Sequence, residues 1–163
     1  TVNTLESALE LIKEHNFKWN KVVRDVVYCE RDTATFKLWS RVLGRIAKDK
    51  TETMVYTYVM RQDFKDFKLA FEKTGGLIDL LKTTSDAKFT MFLKDVYGDG
   101  VIEASLRSDS EKGFDVAQLA IMLGGGGHKR SAGFRMNGSV EEVVAAVEEK
   151  LKEIKKGKIK KEM

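Results

Sequence analysis

Hydrophobic residues in the first part of the chain recur at helical spacing. Apolar side chains lie three or four positions apart over residues 3–15, 20–30 and 32–48, which predicts three helices. The third helix is expected to begin at Asp32. Its expected buried face consists of Phe36, Trp39, Val42, Leu43 and Ile46.

The pattern changes near residues 48–52, after which strand-like and helix-like segments alternate. β-Branched and aromatic residues predict strands over 52–60, 86–96, 100–108 and 133–138. Helical spacing predicts helices over 75–84, 114–123 and 139–156, and a short helix or turn over 62–71.

Two local signals define how this second part is connected. The run Tyr97-Gly98-Asp99-Gly100 predicts a hairpin between the two strands that flank it. Ser139 and Glu142 are spaced as a capping box at the start of the last helix. The predicted fold class is therefore α/β (α+β): a helical segment over residues 1–50, then a small mixed β-sheet lobe over 51–163 flanked by helices.

Composition describes a soluble globular protein rather than a membrane or secreted one. Of 163 residues, 42% are hydrophobic and 33% charged, and no apolar run approaches the roughly 18 residues of a membrane span. The start has no secretory signal, and the missing initiator methionine before Thr1 suggests a fragment of a longer protein. The single cysteine, Cys29, excludes an internal disulfide, fits a cytoplasmic location and is expected to be buried rather than reactive.

The formal net charge is +4, and much of the excess lies in the lysine-rich tail from Lys150 to Lys161. Lysines are favourable near the negative end of a helix dipole, so a solvated helix end is the preferred interpretation. A patch that attracts phosphates remains the alternative.

The most distinctive stretch is GGGGHKRSAG, residues 124–133. Too few residues follow it for a second core, so it is expected inside one fold rather than as a linker. Glycines allow successive backbone N–H groups to point at one anion, and His128, Lys129 and Arg130 add donors and positive charge. The spacing matches neither a P-loop nor a dinucleotide fingerprint. Ligand binding and a structural turn both remain open.

A second motif is SLRS, from Ser105 to Ser108. In a strand, Ser105 and Arg107 share one face, and the planar guanidinium of arginine is suited to binding phosphate. The alternative is an exposed Arg107 that pairs with Glu103, two positions away on the same face. The motif alone favours this ion pair.

Together, these two motifs resemble a known family. The run VIEASLRSDSEKGFDVAQLAIMLGGGGHKRSAGF, beginning at Val101, is similar to the end of DHH phosphoesterases. The second, DHH-associated lobe of those proteins has a strand ending in S-L/F-R-S, a helix, and then GGGGH-x-x-A-A/S-G. Upstream, YTYVMRQDFKDF and TGGLIDLL look like the first strand and helix of that lobe, and TVNTLESALELIKEH like the end of the DHH lobe and its connector.

The resemblance implies a division of labour between two lobes. In the family, the DHH lobe binds two metal ions, usually manganese, which activate water for attack on a phosphoester. This chain has two histidines, His15 and His128, and no Asp-His-His motif. It is therefore expected to bind no metal or other cofactor and to be inactive alone. His15 is expected to interact with the dipole of the first helix.

The resemblance also implies a set of substrate-binding residues in this chain. They are Ser105, Arg107, Ser108, Gly125, Gly126, Gly127 and His128. The two basic residues that follow, Lys129 and Arg130, depart from the family pattern and are expected to favour the anionic end of a substrate. Gly75 departs from the family pattern, because many members have glutamate there, and Ser131 stands where alanine is common.

The leading hypothesis is the substrate-binding lobe of a cytoplasmic phosphoesterase that hydrolyses short oligonucleotides or 3′-phosphoadenosine 5′-phosphate. Other hypotheses are a lobe of a cyclic-dinucleotide phosphodiesterase or RecJ-like exonuclease, or a non-catalytic nucleic-acid-binding module as in alanyl-tRNA synthetases. The expected partners are the nucleotide substrate, an upstream DHH lobe and a second copy in a homodimer, with no membrane association.

Overall fold

A computed structural model describes residues 2–15, 31–84, 86–95, 97–109, 111 and 113–162. The chain divides into two compact units, Thr1–Thr33 and Ala34–Met163, which are considered separately. In the first unit, α1 (Val2–His15) confirms the first predicted helix. The helix predicted over 20–30 and Cys29 lie outside the described residues.

The second unit contains a mixed sheet with helices on both faces, which confirms the predicted fold class. Its helices are α2 (Thr33–Leu43), α3 (Arg61–Phe67), α4 (Leu77–Lys82), α5 (Val116–Met122) and α6 (Val140–Glu162), with a 3₁₀ turn at Phe71–Thr74. Its strands are β1 (Ala47–Lys48), β2 (Met54–Met60), β3 (Phe89–Asp95), β4 (Val101–Ser108), β5 (Gly126–His128) and β6 (Ser131–Asn137).

The six strands lie in the order β1-β2-β3-β4-β6-β5. β2 and β3 are parallel and are joined through α3, the 3₁₀ turn and α4, whereas the other neighbouring pairs are antiparallel. β3 and β4 follow each other across the Gly98–Gly100 turn, so the predicted hairpin is confirmed. β1 and β5 are the two outer strands of the sheet.

One face of the sheet is closed along its length by α5 and α6. Alternate residues of the strands point into this core, including Met91, Leu106 and Phe134, and meet Leu119 and Val147 from the helices. Such alternation is what period-two patterning produces when one sheet face is buried.

The opposite face is closed over only part of the sheet. Val59 of β2 and Phe92 of β3 pack under helices α2, α3 and α4 in a second apolar cluster, which includes Leu38 and Leu77. On β4 and β6, the residues of this same face are polar, charged or glycine except Val101 at the start of β4, and all stay at least partly exposed. This exposed portion is the setting of the site described below.

The third predicted helix is shorter than expected and turned differently. α2 ends at Leu43, and Ala47–Lys48 pairs with β2 instead of continuing the helix. Its buried residues are Thr35, Leu38 and Val42, whereas Phe36 is 58% exposed. The expected face was partly right, because Val42 is buried and Trp39 and Leu43 pack against the same cluster. Packing against β2 and α4 buries Leu38 instead of Phe36. α2 from Ala34 onward belongs to the second compact unit.

An ion cluster joins α2 to α3. Asp63, 2% exposed, accepts hydrogen bonds from Arg45 Nη1 at 2.5 Å and Nη2 at 2.9 Å, and from Arg41 Nη1 at 3.2 Å. Burial opposes ionisation of Asp63, but these bonds, with one from the Met60 N–H, outweigh it and lower the pKa of Asp63. The cluster stabilises the helices over β2 and β3.

The capping box of the last helix is present. The Glu142 N–H donates to Ser139 Oγ at 3.2 Å, and the Ser139 N–H donates to Glu142 Oε2 at 2.7 Å. Both bonds satisfy donors that a helix start would otherwise leave unpaired. The sequence signal for the start of α6 is thus confirmed.

Candidate functional site

The strand register brings the two sequence motifs together on one face of the sheet. Arg107 on β4 pairs with Ser131 on β6, and Ser131 pairs in turn with His128 on β5. Directly paired residues of antiparallel strands project to the same side of the sheet. Arg107 and His128 therefore lie in one cross-strand row, separated by the small side chain of Ser131.

The next row along the strands is nearly free of side chains. Ser105 on β4 pairs with Gly133 on β6, which pairs with Gly126 on β5. We call the exposed surface formed by these two rows and the Glu103–Arg135 pair beyond them the open face. The two glycines give its centre a floor of bare backbone.

The glycine run is an ordered helix end followed by a strand, not a free loop. Gly124 has φ 79° and ends α5, with its N–H bonded to the Ile121 carbonyl at 3.1 Å and the Gly125 N–H bonded to the Ala120 carbonyl at 2.8 Å. This pair of bonds is the Schellman arrangement, which favours glycine because of its positive φ. The last glycines of the run, with His128, form β5, a strand that the sequence patterns did not predict.

The next three positions, Gly125 to Gly127, differ in whether the surrounding structure has room for a side chain. A Cβ on Gly125 would lie 2.1 Å from the Gly133 carbonyl oxygen, and one on Gly127 would lie 2.5 Å from Ala132 Cα. Both positions require glycine because the backbones approach closely. A Cβ on Gly126 would meet nothing within 4 Å, and its φ is not positive. Packing does not require glycine at Gly126, which leaves the space above the floor free.

An open depression of about 410 Å³ lies at this floor. It is lined by Glu103, Ala104, Ser105, Gly124, Gly125, Gly133, Phe134 and Arg135. Its shape is shallow and accessible, with polar groups at one end and glycine backbone in the middle. Its lining begins at Ser105, one row from Arg107 along β4.

Arg107 does not form the ion pair that the sequence motif favoured. Glu103 pairs instead with Lys94 Nζ at 3.6 Å and with Arg135. The Arg107 guanidinium donates to the Leu106 carbonyl at 3.0 Å, and the ion pairs of the described residues include none to Arg107. Its charge is thus not committed to a described carboxylate and remains suited to an external anion.

The remaining predicted site residues lie in different surroundings. Ser108 is 2% exposed and faces the closed side of the sheet, where its hydroxyl lies 3.4 Å from the Lys88 carbonyl. Lys129 and Arg130 form the exposed two-residue turn between β5 and β6. Their carbonyls accept the Val116 and Ser108 N–H groups, both at 3.1 Å, which ties the turn to α5 and β4.

Two residues of the open face were not anticipated as a pair from the sequence. Arg135 was not considered, and Glu103 was expected to pair with Arg107. Arg135 projects on the open face opposite Glu103, with its side chain 69% exposed. The available signal was alternation along β6, which places Arg135 on the side away from Phe134.

The described residues contain no group of three or more histidine, cysteine, aspartate or glutamate side chains arranged to hold a metal ion. Within the same residues, no helix has the length and apolar character needed to cross a membrane.

A model of the DHHA1 domain matches residues 40–153, which include both motifs and all six strands. The chain belongs to the DHHA1 domain family. Among curated proteins, none matches it.

Two solved structures are similar to this chain. An exopolyphosphatase-related protein from Bacteroides fragilis is 20% identical, with a TM-score of 0.78 over 92% of this chain and 43% of its own. A pGpG-specific phosphodiesterase from Vibrio cholerae is 14% identical, with a TM-score of 0.48 over 72% of this chain and 37% of its own. This DHHA1 chain thus spans less than half of the structures that it matches.

Proposed function

We propose that this DHHA1 chain is the substrate-binding lobe of a metal-dependent DHH-family phosphoesterase. Its substrates would be short oligonucleotides or 3′-phosphoadenosine 5′-phosphate. The observation that carries the proposal is the single row of Arg107 and His128 beside a floor of bare glycine backbone. Family membership supports it, because the two motifs that meet on this face are those by which the chain resembles DHH phosphoesterases.

Each part of the open face has a distinct role in this proposal. Arg107 donates two parallel hydrogen bonds to phosphate oxygens, a geometry that a guanidinium supplies and an ammonium does not. His128 donates a further bond from the opposite end of the row. β5 is an edge strand, so some of its backbone groups face away from β6 and are available to the ligand. Gly126 keeps the approach clear.

The two metal ions implied by the family resemblance would supply the activated water from the DHH lobe. The described residues of this chain include no group of three or more metal-ligating side chains that could hold them. The residues of this chain bind the phosphate and orient it.

The proposal is tested by titrating the chain with 3′-phosphoadenosine 5′-phosphate or a dinucleotide, monitored by amide NMR shifts. Arg107→Ala is expected to weaken binding about tenfold or more, because a charged hydrogen-bonding partner of the phosphate is lost. Gly126→Ala is expected to weaken binding while preserving the spectrum of the folded protein. Lys65→Ala, which removes an exposed charge on α3, is the matched control and should bind normally.

Unchanged affinity in both Arg107→Ala and Gly126→Ala would contradict the assignment. In the intact protein, full phosphoesterase activity of an Arg107→Ala, His128→Ala double variant would do the same.

A further inference from the structure

Beyond the glycine floor, the open face carries a row of three charged residues. Glu103 on β4 is paired in register with Lys94 on β3 and with Arg135 on β6. Its carboxylate contacts both cations, at 3.6 Å from Lys94 Nζ and through a direct hydrogen bond from Arg135 Nη2. The side chain of Glu103 is 22% exposed, whereas that of Arg135 is 69% exposed. Glu103 thus holds one edge of a guanidinium that is otherwise open to solvent.

This row lies at a definite position relative to Arg107. Arg107, Ser105 and Glu103 project from the same side of β4, two residues apart. Each such step is about 7 Å along a strand. The depression begins one row from Arg107, at Ser105, and runs across the bare floor at Gly133 to Arg135. A phosphate, a ribose and a base follow one another in the same linear order.

The chemistry of Arg135 favours a base over a second phosphate. Its guanidinium is planar, and planar guanidinium groups stack on aromatic rings. Its charge is partly compensated by Glu103, which weakens its attraction for another anion. The flat floor beside it carries no side chain that would keep a ring away.

We propose that Arg135 contacts the nucleobase of a bound nucleotide and that Glu103 is a positioning residue that orients its guanidinium. This inference rests on the proposed function, because it takes the phosphate to lie on the Arg107 row. It specifies the substrate class further: the site prefers a phosphate that carries a nucleoside over one that carries only a sugar.

The test compares two probes, adenosine 5′-monophosphate and ribose 5-phosphate, titrated by NMR into the 163-residue chain and its variants. Wild type is expected to bind the nucleotide more tightly. Arg135→Lys keeps the charge but not the plane, and should reduce that preference about five- to tenfold, as expected for the loss of about 1 kcal/mol of stacking. Its affinity for ribose 5-phosphate should not change.

Glu103→Gln should reduce the preference less, because the amide oxygen can still accept one bond from Arg135. The Nε–H resonance of Arg135 reports the contact directly. It should shift with the nucleotide and not with ribose 5-phosphate, and this difference should shrink in Glu103→Gln. A purely structural role of the ion pair would leave this resonance equally affected by both probes.

The outcomes separate the two proposals. If Arg107→Ala weakens both probes but Arg135→Lys leaves the preference unchanged, the base contact is wrong and the proposed function stands. If Arg135→Lys weakens the binding of both probes equally, Arg135 contacts the phosphate, and this outcome also overturns the inference. If neither probe shifts the resonances of Arg107 and Gly126 at concentrations up to about 10 mM, the proposed function itself is contradicted.

Discussion

The two faces of β4 and β6 differ in composition although the same strands form them. On one face, Leu106 is fully buried in the core under α5 and α6. On the other, its neighbour Arg107 lies in the open row with His128. Because side chains alternate along a strand, every second residue contributes to the core and the residues between them can contact a ligand. Stability and binding are therefore separable at adjacent positions.

The open face can also be compared with its covered continuation. Over β2 and β3 the same face is closed by α2, α3 and α4, and it is apolar at Val59 and Phe92. Over β4 and β6 it is polar apart from Val101, and glycine replaces side chains at its centre. The surface changes character where the helices end, which confines the candidate site to one half of the sheet.

The largest expected effect is a difference in the free energy of unfolding between substitutions at two neighbouring residues, one on each face of β4. Leu106→Ala should lower the free energy of unfolding by about 2–5 kcal/mol, because it leaves a cavity in the core. Arg107→Ala should change it by no more than about 0.5 kcal/mol, since its side chain is partly exposed and unpaired with any described carboxylate. Urea unfolding of both variants measures the difference. Similar losses of unfolding free energy in the two variants would show that Arg107 on the open face contributes to stability as much as the core residue does.

A smaller effect is expected within the glycine run. Gly125→Ala forces a Cβ against the Gly133 carbonyl and should destabilise the fold by about 1–3 kcal/mol. At Gly126 an added Cβ meets no neighbour, so Gly126→Ala should leave thermal unfolding nearly unchanged while weakening nucleotide binding. Thermal unfolding followed by circular dichroism compares them. Equal destabilisation would remove the argument that Gly126 is kept for the ligand.

The smallest effect on stability is expected at Asp63, in the ion cluster beside the half of the sheet face that helices cover. The pKa of Asp63 is lowered in the folded state, so its stabilising contribution is present above the unfolded value of about 3.9 and is lost as pH falls through the folded pKa. Asp63→Asn should cost about 1 kcal/mol near pH 7, because Arg41 and Arg45 are partly exposed and can be solvated.

Urea midpoints at about pH 7 and pH 3 provide the measurement. The variant should lose less stability than wild type over this range, and its nucleotide binding should be unaffected. An identical pH dependence in both proteins would contradict the role of the ion cluster.

Much of the architecture was predictable because its signals are local. The Ser139–Glu142 capping box, the hairpin at Gly98–Gly100 and the alternation along β4 depend on a few neighbouring residues, and all three are present. The buried face of α2 was only partly predictable, because the elements that cover it decide which side of a helix is buried. β5 was missed because glycine has low strand propensity, and pairing with β6 overrides that preference.

The sequence by itself determined the fold class, the two motifs and the family that they indicate. Only the tertiary structure decided which of their residues meet. Arg107 and His128 share a row because β4, β6 and β5 pair in one register, and that register is held by burial of Ala104, Leu106 and Phe134 on the other face. The same register places Glu103 opposite Arg135, with which it forms an ion pair, and leaves Arg107 without an ion pair to a described carboxylate. Non-local pairing depends on the whole sheet, so no local pattern contains it.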